Sequence, residues 1–131
     1  GGIFTFFDTS GMYYSYLPLT FHSFAWHILL IFLGIRAGLS RESDHSLKGF
    51  LKCACFFFAC CLAATTFNLL FHSYGKINMF YISPYYSMGQ VVFRDIARML
   101  GNNAGILIYI ASIITGAGIL HLFWNRISEI E

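Results

Sequence analysis

The chain holds a few residues able to do chemistry, and the most conspicuous of them is His27, inside the apolar run Phe-Ala-Trp-His-Ile-Leu-Leu-Ile-Phe-Leu. An ionisable group in such a setting normally faces a protein interior or a cavity. An imidazole there could serve as a general base, or it could be a neutral ring bonded to a neighbouring carbonyl. Asn68 and His72 stand four residues apart, the spacing that places two side chains on one helix face, and Asn78 follows closely. Unpaired amides and imidazoles are costly in lipid. Asn68, His72 and Asn78 are therefore expected to gather with His27 as a polar, candidate substrate-binding cluster in the outer half of a helix bundle. His22 and His121 fall near the ends of apolar segments and read as interface residues.

The cysteines offer less. Cys53, Cys55, Cys60 and Cys61 all lie in one apolar segment, where a single helix cannot join them in ordinary disulfide geometry. Cys53 and Cys60 are seven apart and share a face, so a thiol site or plain packing are both open, and cysteine is a common small packing residue. No Cys-x-x-Cys, His-Glu-x-x-His or zinc-type Cys/His spacing occurs, and neither a metal nor a cofactor is expected.

What must position these residues follows from composition. Of the 131 residues, 57% are hydrophobic, 19% aromatic and 11% charged, against about 25% charged in soluble domains. A single soluble core could not hide that apolar surface; lipid can. The net charge of +2 and the placement of Lys and Arg at segment ends argue against nucleic acid as a partner.

Apolar stretches of spanning length, about 20 residues, run from Leu17 to Leu39, from Leu51 to Phe71 and from Ala104 to Trp124. Pro18 suits the first turn of the first helix, and Asn102-Asn103 reads as the cap of the third. Gly1 to Phe7 is apolar but too short to span and lacks the features of a signal peptide. It reads as the end of a fourth helix, making the chain the carboxy-terminal part of a longer protein. The fold class expected is all-α, a polytopic transmembrane bundle forming one domain over residues 1–131.

Between the second and third spans lies a tyrosine-rich stretch with Pro84, of the kind that settles at headgroup level. In it Ser87-Met-Gly-Gln90 has capping-box spacing and Gly101 suits a helix stop. Val92, Ile96, Met99 and Leu100 share one face and Arg94, Asp95 and Arg98 the other, which describes either an interfacial helix or a short helix capping the bundle. In the third span, Ala111, Thr115 and Gly118, with Ser112 and Gly116 alongside, form a small-residue face for close helix packing. Arg36, Arg41, Lys48, Lys52 and Arg126 fall on one side of the membrane and Lys76, Arg94 and Arg98 on the other. Five against three puts the carboxy terminus and the Ser40 turn in the cytoplasm.

The order of these features, Phe21 to His27, then Asn68-Leu-Leu-Phe-His-Ser-Tyr-Gly-Lys-Ile-Asn78-Met-Phe-Tyr, the Pro84 stretch and a last helix, resembles the carboxy-terminal half of the YwaF-like integral membrane proteins. The resemblance covers about Gly1 to Trp124. It departs from the family at Met99-Leu-Gly-Asn-Asn-Ala104, where bacterial members carry a Gly-Pro-Trp-Pro-Trp-like stretch. The resemblance implies a bacterial plasma membrane protein, partnered by lipids and by its own amino-terminal helices. Its eukaryotic relatives are implied to be lipid acyltransferases using a cysteine and a histidine. By that analogy the protein is a phospholipid acyltransferase, with His27 as general base to a thiol that is otherwise only a few per cent ionised at neutral pH. The implied nucleophile lies upstream, and none of Cys53 to Cys61 matches it. The alternative is a non-enzymatic membrane component, a small transporter or packing subunit, whose polar cluster satisfies itself.

Overall fold

The computed structural model describes residues 6, 7, 9, 12–40 and 44–128. They fall in two compact units, one within Gly1–Ser43 and the other within Asp44–Glu131. Four α-helices are present, α1 (Leu17–Leu39), α2 (Leu47–Phe71), α3 (Val91–Leu100) and α4 (Asn102–Ser128), and no strand occurs among the described residues. Three of them, α1, α2 and α4, are long and apolar enough to cross a membrane. Of Gly1 to Phe7, the stretch read as the end of a fourth helix, residues 1–5 lie outside the described residues, and Phe6 and Phe7 occupy a turn.

The first unit is one helix with a folded lead-in. Pro18 stands in the opening turn of α1, as its fixed φ favours, and no side chain caps the helix. The turn is held instead by Thr20, whose Oγ1 accepts from the Tyr14 N–H at 2.9 Å and donates to the Tyr14 carbonyl at 3.3 Å. The rings of Phe6 and Tyr13 pack on Phe24, with centroids 6.2 and 5.6 Å away. No residue of α1 is buried. A helix so apolar, covered only in part on the side of Phe24, is suited to lipid or to other helices.

The second unit is an antiparallel pair, α2 and α4, closed at one end by a long loop and α3. Along α2 the covered residues include Gly49, Phe50, Ala54, Phe57, Cys61, Ala64 and Asn68, the three-and-four spacing of a single helix face, with Cys60 and Thr65 beside it half-buried. Cys61 and Ala64 form a small core with Ile82, against which Phe57, Ile106, Tyr109 and Ile110 pack. At the Ser46 end, Phe50 stacks on His121 at 5.2 Å and the Asn125 amide donates to the His45 carbonyl at 2.9 Å. The start of α2 thus lies beside the end of α4.

Local chemistry explains where the elements begin. α2 starts at Leu47, four residues before the apolar run, because Ser46 caps it. The Ser46 Oγ accepts from the Gly49 N–H at 3.1 Å and donates to Asp44 Oδ1 at 2.5 Å. The Ser87–Gln90 capping box does not form: Gln90 is the N-cap residue of α3 and makes no side-chain cap bond. Gly101, at φ 94°, does end that helix, in the left-handed region that favours glycine. Asn102, expected as a cap, opens α4 but turns its amide to the preceding loop. Close approach in α4 meets the expectation at Gly118 and adds Gly105, which lay outside the expected face. Ala111, Ser112, Thr115 and Gly116 are exposed. The tight positions are Gly105, where a Cβ would stand 2.5 Å from the Ala97 Cβ, and Gly118, which faces the Phe50 ring.

Candidate functional site

Polar side chains concentrate where α2 ends and α4 begins. Asn68 is the last covered position of the α2 face, completely buried, with Met79 directly opposite. Its Nδ2 donates to the Met79 carbonyl at 3.1 Å and its Oδ1 accepts from the Met79 N–H at 2.8 Å. One side-chain amide thereby pairs with the backbone of one residue as a neighbouring strand would. Asn78 Oδ1 accepts from the Ser83 N–H at 2.9 Å. Asn102 donates through Nδ2 to the carbonyls of Ser83 at 3.2 Å and Tyr86 at 3.1 Å, and accepts from the Met88 N–H at 3.0 Å. The Tyr86 hydroxyl donates to the Gly75 carbonyl at 2.8 Å.

These bonds answer a physical need. Residues 72–90 contain only two single 3-10 turns, His72–Tyr74 and Met79–Tyr81, and irregular backbone that is buried must find hydrogen-bond partners outside regular structure. The asparagines supply them. The backbone between two ties is bent hard enough that Phe80 and Tyr81 take φ of 58° and 61°, which costs roughly 1–2 kcal/mol for each such residue and persists only where surrounding contacts fix it. Ile82, Ser83 and Met88 are buried beneath the loop.

Of the four residues expected to gather, three meet at this loop. Asn68 and Asn78 bind its backbone, and the His72 ring stacks on Tyr85 with centroids 4.0 Å apart and planes at 13°. His72 Nδ1 lies 2.8 Å from the Leu69 carbonyl. His27 belongs to the first unit, and its Nδ1 lies 2.7 Å from the carbonyl of Ser23, one turn back on its own helix. A carbonyl only accepts, so in both rings Nδ1 carries the proton and the lone pair of a neutral imidazole resides on Nε2. Sequence reasoning missed Ser83, Tyr86 and the loop-binding role of Asn102. An asparagine just before an apolar run reads as a helix cap, and only the fold brings residues 83–88 within its reach. Cys61 is buried in the α2–α4 core, whereas Cys53 and Cys55 are exposed. Among the described residues, no group of three His, Cys, Asp or Glu side chains could hold a metal ion.

A second feature adjoins the loop. Ser87, Met88, Arg94, Ala97, Arg98 and Asn102 line a half-open cleft of about 230 Å³. Arg94 and Arg98 share one counter-ion, Asp95, whose Oδ1 stands 3.6 Å from Arg94 Nε and 3.4 Å from Arg98 Nη1. α3 rests on α4 through Phe93, edge-on to Tyr109 at 5.0 Å, and through Ala97 against Gly105. Val92, Met99 and Leu100 are left exposed on the neighbouring flank.

Fold and site together describe an all-α protein with the helices of an integral membrane protein and an amide-tied loop at one end of a helix pair. Comparison with protein-family models, with curated proteins and with solved structures gives no match to this chain.

Proposed function

We propose that the chain is a non-enzymatic membrane component of a YwaF-like protein, in which the asparagine cluster holds a surface loop in place and does not bind substrate. The observation that carries this reading is Asn68, whose two amide atoms are both bonded to the Met79 backbone. A ligand would have to break those bonds to use them. The exposed apolar surface of α1, α2 and α4 suits contact with lipids and with other helices of the same assembly. The Lys/Arg bias favours a cytoplasmic carboxy terminus and an outward-facing loop in a bacterial plasma membrane.

One observation favours acyl transfer as the second reading. With Nδ1 bonded to Ser23, neutral His27 offers Nε2 as a base, the tautomer a general base needs. The thiol would come from outside these 131 residues. Lipid profiling of cells carrying the full-length protein, its His27→Ala variant or no protein separates the two. The structural reading expects one acyl-chain distribution in all three. A shift caused by the wild type and lost in His27→Ala would replace it with acyl transfer.

A further inference from the structure

The depth of the Arg94–Arg98 cleft in a bilayer follows from helix length. α4 has 27 residues, about 40 Å at 1.5 Å per residue, and exceeds a hydrocarbon core of about 30 Å. Roughly three residues at each end therefore reach the headgroup layers. Asn102, the first residue of α4, lines the cleft, which puts its mouth at the level of lipid phosphates. The orientation of α3 agrees with this depth. Val92, Met99 and Leu100 are 66%, 84% and 63% exposed, an apolar flank that lowers its free energy by entering the acyl region. Arg94 and Arg98, four residues apart, project from the opposite side of the helix.

The cleft is also short of negative charge. Two guanidinium groups share a single carboxylate whose distances of 3.6 and 3.4 Å exceed the usual 2.7–2.9 Å of a charge-assisted hydrogen bond. Arg94 Nε is shielded from solvent and makes no hydrogen bond. That shielded atom is directed at Asp95, so the guanidinium left to meet a ligand in the cleft is above all that of Arg98, whose side chain is 70% exposed. Guanidinium forks match the oxygens of phosphate in pairs, Ser87 lines the same cleft, and its volume of about 230 Å³ suits a headgroup.

We propose that this cleft is a phospholipid site, in which Arg94 and Arg98 hold the headgroup phosphate. The site requires only that the spans lie in a bilayer and stands whether or not the protein is an enzyme.

Native mass spectrometry of the full-length protein, released from detergent with defined additives, tests it. Phosphatidylglycerol should be retained, diacylglycerol of the same chains should not, and millimolar inorganic phosphate should fail to displace the lipid. Arg94→Gln with Arg98→Gln should weaken retention by at least about tenfold, the loss expected of charge-assisted bonds, while Lys48→Gln with Arg126→Gln at the other end of the helix pair should leave it unchanged. Asp95→Asn removes the competing carboxylate and should strengthen retention, a gain that misfolding cannot imitate. Retention of diacylglycerol equal to that of phosphatidylglycerol, undiminished retention by the double arginine variant, or weaker retention by Asp95→Asn would each overturn the proposal. Displacement by inorganic phosphate would identify a free anion as the ligand and overturn it as well.

Discussion

Replacing Asn68 with alanine removes both hydrogen bonds to Met79, at 3.1 and 2.8 Å, and leaves the backbone of that residue without its partner. A net contribution of about 0.5–1.5 kcal/mol for each bond gives a loss of roughly 1–3 kcal/mol. The lower half of that range is favoured because Met79 is itself 43% exposed and water can reach part of the vacated space. The loop between Asn78 and Ser83 should then open about 5- to 150-fold more often, at 1.4 kcal/mol per factor of ten. Hydrogen exchange of the full-length protein in lipid nanodiscs reads this directly at the Ser83 amide. That amide is bonded to Asn78 Oδ1 and not to the substituted residue, so faster exchange there reports release of the loop, not the missing bond itself. Asn68→Asp, which keeps the acceptor for the Met79 N–H and loses the donor, should also speed exchange at Ser83. Exchange at Ser83 within twofold of wild type in Asn68→Ala would mean that the loop is held by something else, and the structural reading of the asparagine cluster would fail.

Two more outcomes follow from the packing and the caps. Gly105→Ala should destabilise the α3–α4 contact by roughly 1–3 kcal/mol, because its Cβ would meet the Ala97 Cβ at 2.5 Å and Cα at 2.9 Å; Gly116→Ala, with nothing within 4 Å, should be neutral or stabilising in the same denaturation assay. Hydrogen bonds from the Ser46 hydroxyl and N–H hold the Asp44 carboxyl below its ordinary pKa. The sign is that of a depressed acid: its contribution to the α2 cap is present at neutral pH and is lost as pH falls through the lowered value, below about 4. The Gly49 amide resonance should therefore shift with acid in the wild type and not in Asp44→Asn.

The spanning helices were legible because length and hydropathy alone decide them. α1 runs from Leu17 to Leu39, as its apolar run predicts. α2 begins before its apolar run because a capping group sets its start, Ser46 adding a turn before Leu51, and α4 runs on past Trp124 to Ser128. The small-residue face of α4 shows within this unit only at Gly118, which faces the Phe50 ring. Small side chains permit close approach but do not require it, and the actual contacts depend on which partner presents a bulky or a small group. Phe50 finds Gly118 and Ala97 finds Gly105, pairings between distant segments that no single-helix pattern contains. Asn68, His72 and Asn78 do meet at one loop, and their polarity drew attention to it for the same energetic reason that makes buried amides conspicuous anywhere.

A buried amide in a membrane helix satisfies one demand, pairing in a medium without water, and that demand is met equally by substrate, by another side chain or by backbone. What separates the cases is the geometry of the loop nearby. A chain returning into the bilayer margin from a helix end carries unpaired peptide groups at every irregular residue, so asparagines at the flanking helix termini are the nearest source of both donors and acceptors. Asn68 at the end of α2 and Asn102 at the start of α4 occupy those two termini, and between them they bind the backbone of Met79, Ser83, Tyr86 and Met88. The Arg94–Arg98 cleft differs in kind. Its two guanidinium groups share a single carboxylate, so the excess charge in this part of the unit is cationic and lies at α3, one element before the Asn102 end of α4.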